Sequence, residues 1–480
     1  MVAVAGRFCG VSGILAAAVY LPYRRLDGKE IGGFFGSGGA KTSRTVASHD
    51  EDTTTMGVEA ARKILKGTTN VDRLRFVTPT PAYADKNNAS TLHAALRLPP
   101  NIGAWDVGGS LRSSIGALID ALSTSGQTLL VSADLRDGLP TSADESGTGD
   151  GAAALLVGDA SSGHPVIAEF LGSASQTDEF IDRWRSPGEQ RSRVWEERFG
   201  ETRYNELGRT TFANALTDAG ISFDEVNKLV VTGLHARAVK GVAAKLSQGN
   251  DIANDTLTPQ TGQMGGAHPL ISLTAALETS APGDVIVLLH LADGADAVVV
   301  RTTDAIKNAV PTFSVAAQLA NGAPLPYAKF LSWRNMVNVE PPRRPEPQRV
   351  SSSAAWRSED WKFGFVGSKD LTDGTIHLPP TRVSRNTNAL DVMEPVAMAE
   401  AKGTIVTFTI DRMAYSPSPP VVFAVVDFDG GGRFPVELTD VDADSVAIGG
   451  RVVMTFRRLF TADGIHDYFW KARPVREGEN

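Results

Sequence analysis

The sequence predicts a layered α/β body followed by a small all-β domain, and three observations carry the prediction. Two stretches repeat one plan, their strands are apolar almost without interruption, and the composition changes near residue 320. In the first stretch, GGSLRSSIGALIDAL (108–122) reads as a glycine turn and a helix, STSGQ as a turn, and TLLVSADL (128–135) and GDGAAALLVG (149–158) as strands. In the second, TGQMGGAHPLISLTAALE (261–278) is turn and helix, SAPGD is a turn, and VIVLLHLA (285–292) and GADAVVVR (294–301) are strands. The common order and spacing point to an internal duplication. Strands that are apolar throughout belong to sheets covered on both faces. Two such halves packed together make a layered domain of roughly 320 residues.

The remaining elements follow in chain order. FCGVSGILAAAVYLPY (8–23) is too short to cross a bilayer, and Pro22 closes it where a buried strand would turn, so it reads as a core strand and not as a secretory signal. GSGGAKTS (36–43) has alanine before Lys41 where a phosphate loop requires glycine. HDED (49–52) is acidic enough for a metal, but TTTMGVEAARKIL behind it is a helix start that Asp52 or Thr53 would cap. VEPPRRPEPQRVSSSAAWRSEDW, with its proline, serine and mixed charge at 339–360, reads as an extended connector with poor helix potential. Beyond it TIVTFTI (404–410), PPVVFAVVDF (419–428), RFPVELTD (433–440), SVAIGGRVVMTFRRLF (445–460) and DYFWKARPV (467–475) alternate with glycine and aspartate turns, which describes a small barrel or sandwich. The expected divisions are two α/β halves at 1–165 and 166–320, a helical, proline-rich linker at 321–360, a ribbon-like segment at 361–394 and the all-β domain at 395–480.

Composition narrows the function. The 480 residues have room for two to four domains, and 42% hydrophobic with 21% charged residues is the balance of an ordinary soluble protein. A net charge of −8 argues against a nucleic-acid groove, which needs clustered Lys and Arg. The main basic run, PPRRPEPQR (341–349), falls in the connector. A single cysteine, Cys9, excludes a disulfide framework and an all-thiolate zinc site, so a reducing compartment, the cytoplasm, is expected, with neither nucleic acid nor membrane as partner.

Residues 11–305 resemble the thiolase superfamily, in particular its 3-ketoacyl-carrier-protein synthase III and hydroxymethylglutaryl-CoA synthase branch. The resemblance rests on the order and spacing of GILAAAVYLPYRRL (13–26), ASHDEDTTTMGVEAAR (47–62), DVGGSLRSSIGAL, GDGAAALLVG, DRWRSPG (182–188), LHARAVKGVAAKL (234–246), TGQMGGAHP and DGADAVVV. Residues from about 325 to 475 resemble the zinc-ribbon and OB-fold family that accompanies such acyl-CoA enzymes. The resemblance implies a duplicated thiolase-like fold, α-β-α-β-α, followed by an OB-fold domain, and a homodimer formed through the sheet edge beside the nucleophile turn.

It also implies a site. In the family, the helix after the strand holding Asp106 opens with a cysteine that takes an acyl group from CoA, its thiol acidified by the helix dipole. That position falls on Leu111, which cannot be acylated and plugs the site. The family's histidine is matched by His235, and the asparagine of the second glycine turn by Gln263, which carries the amide one methylene further out. The general acid/base glutamate of the hydroxymethylglutaryl-CoA synthase branch falls on Pro79, so ordinary hydroxymethylglutaryl-CoA synthesis is not expected. Arg183, Trp184 and Arg185 are the candidates for coenzyme A, arginine clamping phosphate and the indole covering adenine. The four zinc positions of the ribbon read Asp370, Asp373, Ser384 and Thr387, which implies a metal-free ribbon held by packing around GTIHLPP.

Three functions are compatible with these residues. The first is an acyl-CoA carbon–carbon bond enzyme that forms no acyl-enzyme and performs aldol, retro-aldol or Claisen-type chemistry. Its base or donor would be His235, with Gln263 and backbone N–H groups near Gly109 and Gly294. The second is an inactive acyl-CoA-binding scaffold for a separate thiolase or hydratase-like protein. The third takes its nucleophile from Ser110, Ser113 or Ser114, or from a partner's cysteine.

Overall fold

A computed structural model describes residues 12–65, 70–160, 164–253, 257–309 and 313–479. Cys9 and the beginning of the 8–23 run lie outside the described residues. The remainder of that run forms the strand Ser12–Tyr20, fifth of nine in one sheet. On one side it pairs antiparallel with Gly151–Asp159, followed by Thr128–Asp134, Arg73–Thr78 and the edge strand Gly103–Gly108, the last two joints being parallel. On the other side it meets Ala168–Thr177, followed by Gly294–Thr302, Val285–Leu291 and Val226–Thr232, again with a parallel pair outermost. Each half thus runs from antiparallel to parallel in the same order, the duplication expected from the sequence.

Among the described residues the strands of the two halves pair through Gly13↔Glu169 and Ile14↔Ala168. Glycine is required there, because a Cβ at residue 13 would lie 2.2 Å from the carbonyl oxygen of Ala168. The helices Ser113–Ser123 and His268–Glu278 fill the space between the halves, where Ile115, Leu118 and Leu122 share one core with Leu270, Ile271 and Leu273. Thr53–Ala61 and Ala89–Ala95 cover the outer face of the first half, and Glu197–Ala219 and Ala236–Ser247 that of the second. This is the α-β-α-β-α layering.

Five strands, Lys402–Asp411, Val421–Phe428, Arg433–Leu438, Arg451–Ala462 and Ile465–Pro474, close into a barrel, so of the two all-β forms the barrel is the one present. It sits on the helix Thr53–Ala61, whose small residues TTTMGVEAA let it pack on both sides, and every one of them is buried. HDED supplies the joint. Asp52 caps that helix, accepting from Thr55 N–H at 2.9 Å, and also accepts from the Tyr468 hydroxyl at 2.8 Å. Asp50 pairs with Lys471 at 3.0 Å, while Glu51 accepts from the Tyr20 hydroxyl at 2.5 Å and contacts Arg457. Arg457 also holds Asp440 at 2.8 Å. Burial pushes the Asp50 carboxyl up, but Lys471, His49, Arg457 and the Thr439 hydroxyl together outweigh it and hold the group well below the usual carboxylate range. Capping therefore accounts for Asp52, and the other two carboxylates bind the barrel.

The connector departs from expectation in part. It is extended and exposed from 337 to 351, but Ser352–Arg357 and Glu359–Lys362 are short helices, the first following Ser351 in the extended conformation of a cap. GSGGAKTS leads into the strand Ser43–Val46 and not into a helix, so it presents no helix terminus to a phosphate.

The ribbon contains the strands Val366–Asp370, Ile376–His377 and Met393–Ala397. Of the four positions at which the resemblance expects zinc ligands, Asp370, Ser384 and Thr387 are joined by hydrogen bonds and Asp373 bonds its own turn. The Thr387 hydroxyl donates to Asp370 at 2.6 Å, Asp373 accepts from Thr375 N–H at 2.9 Å, and Ser384 Oγ lies 3.4 Å from His377 Nε2. The bonds from Thr387 and Ser384 hold the Asp370 carboxyl below its ordinary value. Hydrogen bonding at these positions, and not packing alone, closes the ribbon.

Candidate functional site

A cavity of about 790 Å³ opens between the two halves and the barrel. That volume suits a ligand of cofactor size, for which pockets run to about 300–1,000 Å³. Its walls come from the glycine turn 109–111, the loop 79–81, the hairpin 182–192, Leu234 and His235 behind a strand end, and Arg458 of the barrel.

Leu111 lines the cavity on the turn that Gly109 allows at φ +103°. Its carbonyl lies 3.2 Å from His290 Nε2, whose other nitrogen is 2.9 Å from the Thr232 hydroxyl. Burial pushes the His290 imidazole down to about 4, so it is neutral. Arg112 fixes the turn from behind with a two-pronged bond to Asp296 at 2.6 and 2.9 Å. Ser110 also lines the cavity, but its hydroxyl accepts from Arg112 N–H at 3.2 Å. Ser113 donates to the Gly108 carbonyl at 2.9 Å and Ser114 is buried, and neither lines the cavity.

His235 lines the cavity and caps the helix Ala236–Ser247, its Nδ1 accepting from Ala238 N–H at 3.1 Å. That bond places the proton on Nε2, which donates to the Glu197 carbonyl at 2.8 Å. The geometry suits a fixed N–H donor and leaves no free nitrogen for a base. Gln263 is not brought to the cavity. Its backbone bridges to Thr148 and its amide donates to Thr258 at 3.1 Å, so the longer side chain turns into its own loop. Gly294 likewise packs on the Gln176 carbonyl and Arg112, away from the cavity.

Pro79 lines the wall and accepts a hydrogen bond from Arg185 through its carbonyl. Arg183 is spent on Asp144, with bonds at 2.6 and 3.0 Å, whereas Trp184 at the mouth is 37% exposed and stands edge-on to Trp195. All three residues expected to hold coenzyme A thus line the cavity, but both arginines already have protein partners.

Three functional groups have no local signature in the sequence. Asp182, first letter of DRWRSPG, is buried on the cavity wall with Oδ1 unpartnered. Tyr204 lies beside it, its hydroxyl pushed far up by burial and by Asp182 and Asp293. Arg136 also lines the cavity while 6% exposed. Among the described residues no group of three or more His, Cys, Asp or Glu is placed to hold a metal ion, and no helix is long and apolar enough to cross a membrane.

Residues 396–457 match the family described as ChsH2, C-terminal OB-fold domain. The hydroxymethylglutaryl-CoA synthase of Pyrococcus horikoshii is 27% identical over 314 residues, 62% of this chain and 87% of its own length. That of Methanothermobacter thermautotrophicus is 25% identical over 354 residues, 68% of this chain and all of its own. Among solved structures, a hydroxymethylglutaryl-CoA synthase complexed with CoA superposes at a TM-score of 0.57 and 17% identity, over 71% of this chain and 94% of that one. A 3-oxoacyl-(acyl-carrier-protein) synthase III gives 0.51 at 18% identity, over 61% and 99%. The protein is a thiolase-fold body carrying an OB-fold domain of the ChsH2 type. Within that class its relatives are hydroxymethylglutaryl-CoA synthases and synthase III proteins, as the sequence motifs imply.

Proposed function

We propose that the protein is an acyl-CoA-dependent carbon–carbon bond enzyme that works without an acyl-enzyme, as an aldolase on 3-hydroxyacyl-CoA thioesters. The supporting observation is that one cavity holds leucine at residue 111, a fixed N–H donor on His235 and a buried carboxylate on Asp182 that bonds the Tyr204 hydroxyl and keeps Oδ1 unpartnered. Asp182 takes the proton of the 3-hydroxyl, the C2–C3 bond breaks, and its electron pair moves into the thioester carbonyl. His235 donates to the enolate oxygen, displacing the Glu197 carbonyl from its Nε2–H. Return of the proton from Asp182 to C2 releases a shorter acyl-CoA and a carbonyl product. CoA is a substrate carrier here, and Trp184 covers its adenine.

A second reading, an inactive acyl-CoA-binding scaffold, draws on the engagement of both His235 nitrogens and on the absence of Gln263 from the cavity. Incubation with 3-hydroxyacyl- and 3-oxoacyl-CoA esters, followed by liquid chromatography–mass spectrometry, separates the two. The aldolase releases acetyl- or propionyl-CoA from hydroxyacyl esters without free CoA. His235→Asn, which keeps a capping oxygen but withdraws the ring donor, and Asp182→Asn both abolish that release. Binding without turnover would establish the scaffold.

We also infer a homodimer through Gly103–Gly108. Among the described residues this strand pairs with Arg73–Thr78 alone, and Trp105 on it is 52% exposed.

A further inference from the structure

Two cavity arginines take no part in the chemistry above. Arg136 is 94% buried, since 6% of it is exposed, and its Nε has no hydrogen-bond partner. Its Nη2 donates to the Ser192 hydroxyl at 3.1 Å, and its Nη1 stands 3.7 Å from Asp134, beyond hydrogen-bond reach. Arg185, on the hairpin, reaches the Pro79 carbonyl, a neutral acceptor. Burial and the charge of Arg136 both disfavour the Arg185 cation, which places two like charges at one wall.

The carboxylates that face them are shared with other donors, Asp134 being ion-paired with Arg136 at 3.7 Å. Asp134 accepts from Gly266 N–H at 2.8 Å and from the Thr80 hydroxyl at 2.9 Å, and burial pushes its pKa up. Asp137 lies 2.9 Å from Arg334. The other cavity cations are held differently: Arg183 by Asp144, Arg334 by Asp150 as well as Asp137, and Arg458 by the His49 carbonyl at 2.9 Å. A buried guanidinium such as that of Arg136, whose carboxylate partner stands beyond hydrogen-bond distance and whose Nε is unpartnered, keeps unused donors, and a planar bidentate anion is the group that satisfies them.

We propose that Arg136 and Arg185 form a carboxylate site, so that the cavity takes a CoA thioester whose acyl chain ends in a carboxylate. The proposal rests on the acyl-CoA reading above. The acyl end is favoured over the CoA phosphates because Arg136 is almost fully enclosed, whereas a nucleotide diphosphate stays hydrated at a cavity mouth.

The test is isothermal titration of the full chain with glutaryl-CoA and with pentanoyl-CoA, which share the CoA portion and the chain length and differ in one terminal carboxylate. The wild type binds glutaryl-CoA about tenfold or more tightly than pentanoyl-CoA, the effect of one or two charge-assisted bonds. Arg136→Gln erases that preference and leaves pentanoyl-CoA affinity unchanged, which also shows that the variant is folded, and Arg185→Gln, on the more exposed hairpin, erases the preference too. Equal affinity of the two esters in the wild type overturns the carboxylate site. Equal weakening of both esters by the variants also overturns it, because the arginines then bind the CoA phosphates. Failure of both esters and of free CoA to bind overturns the acyl-CoA reading, and the carboxylate site with it.

Discussion

Replacing Arg457 by methionine removes the one cation that faces both Glu51 and Asp440 at the joint between barrel and body. All three side chains are fully buried, and Arg457 also donates to the Tyr20 hydroxyl at 3.0 Å. Breaking a buried ion pair at one partner costs about 3–5 kcal/mol, because the remaining charge is stranded. Glu51 is stranded while Asp440 keeps Arg476 at 3.0 Å, so the lower half of that range is expected at pH 7. Hydrogen–deuterium exchange of the helix Thr53–Ala61, which the barrel covers, reads the loss as faster opening by roughly two to three powers of ten. The pH dependence has a definite sign. Burial already raises the Glu51 carboxyl while Arg457 pulls it down, and without the arginine it rises further above its unfolded value. The native variant then binds more protons than its unfolded chain, so its deficit is complete above the raised value and shrinks as the pH falls through it. Adding Glu51→Gln and Asp440→Asn recovers most of the loss. A deficit below about 1 kcal/mol, the worth of a surface pair, or one that grows on acidification, would refute the joint as described.

The ribbon is expected to be indifferent to chelators, its melting being unchanged by EDTA, and to weaken in Asp370→Asn or Thr387→Val. Asp370 is held low, so its stabilisation is present above its unfolded value of about 3.9 and is lost as the pH falls below it, which urea midpoints on either side will show. Leu111→Cys, placed on the turn below which the His290 ring reaches the backbone carbonyl, gains an acyl group from acetyl-CoA detectable by intact mass. No adduct would mean that residue 111 does not stand at a nucleophile position. Light scattering gives twice the 50.9 kDa chain mass for the wild type, and Ala104→Pro, which removes an edge-strand N–H, halves it.

What the sequence disclosed follows the range of the forces involved. The duplicated plan was legible because strand and helix periodicity are local, and the strand Thr128–Asp134 begins where TLLVSADL predicts it. Capping by Asp52 was legible for the same reason, since its partner Thr55 is three residues away. The partners of Asp50 and Glu51, Lys471 and Arg457, lie some four hundred residues further on, and no spacing rule connects them. The candidate site divides in the same way. Leu111, His235 and Pro79 sit at turns whose register a motif can mark, and all three line the cavity. Gln263 was matched by register too, but its side chain follows the hydrogen bond nearest to it, to Thr258, and register carries no information about that choice. Asp182 and Arg136 line one cavity only because the hairpin folds onto the loop after the strand Thr128–Asp134, where Ser192 accepts from Arg136. Both are distinguished by what they lack, a partner for a buried polar atom. A missing partner is visible only after every other contact has been made, so the groups best placed to meet a ligand are the ones that a linear reading is least able to single out.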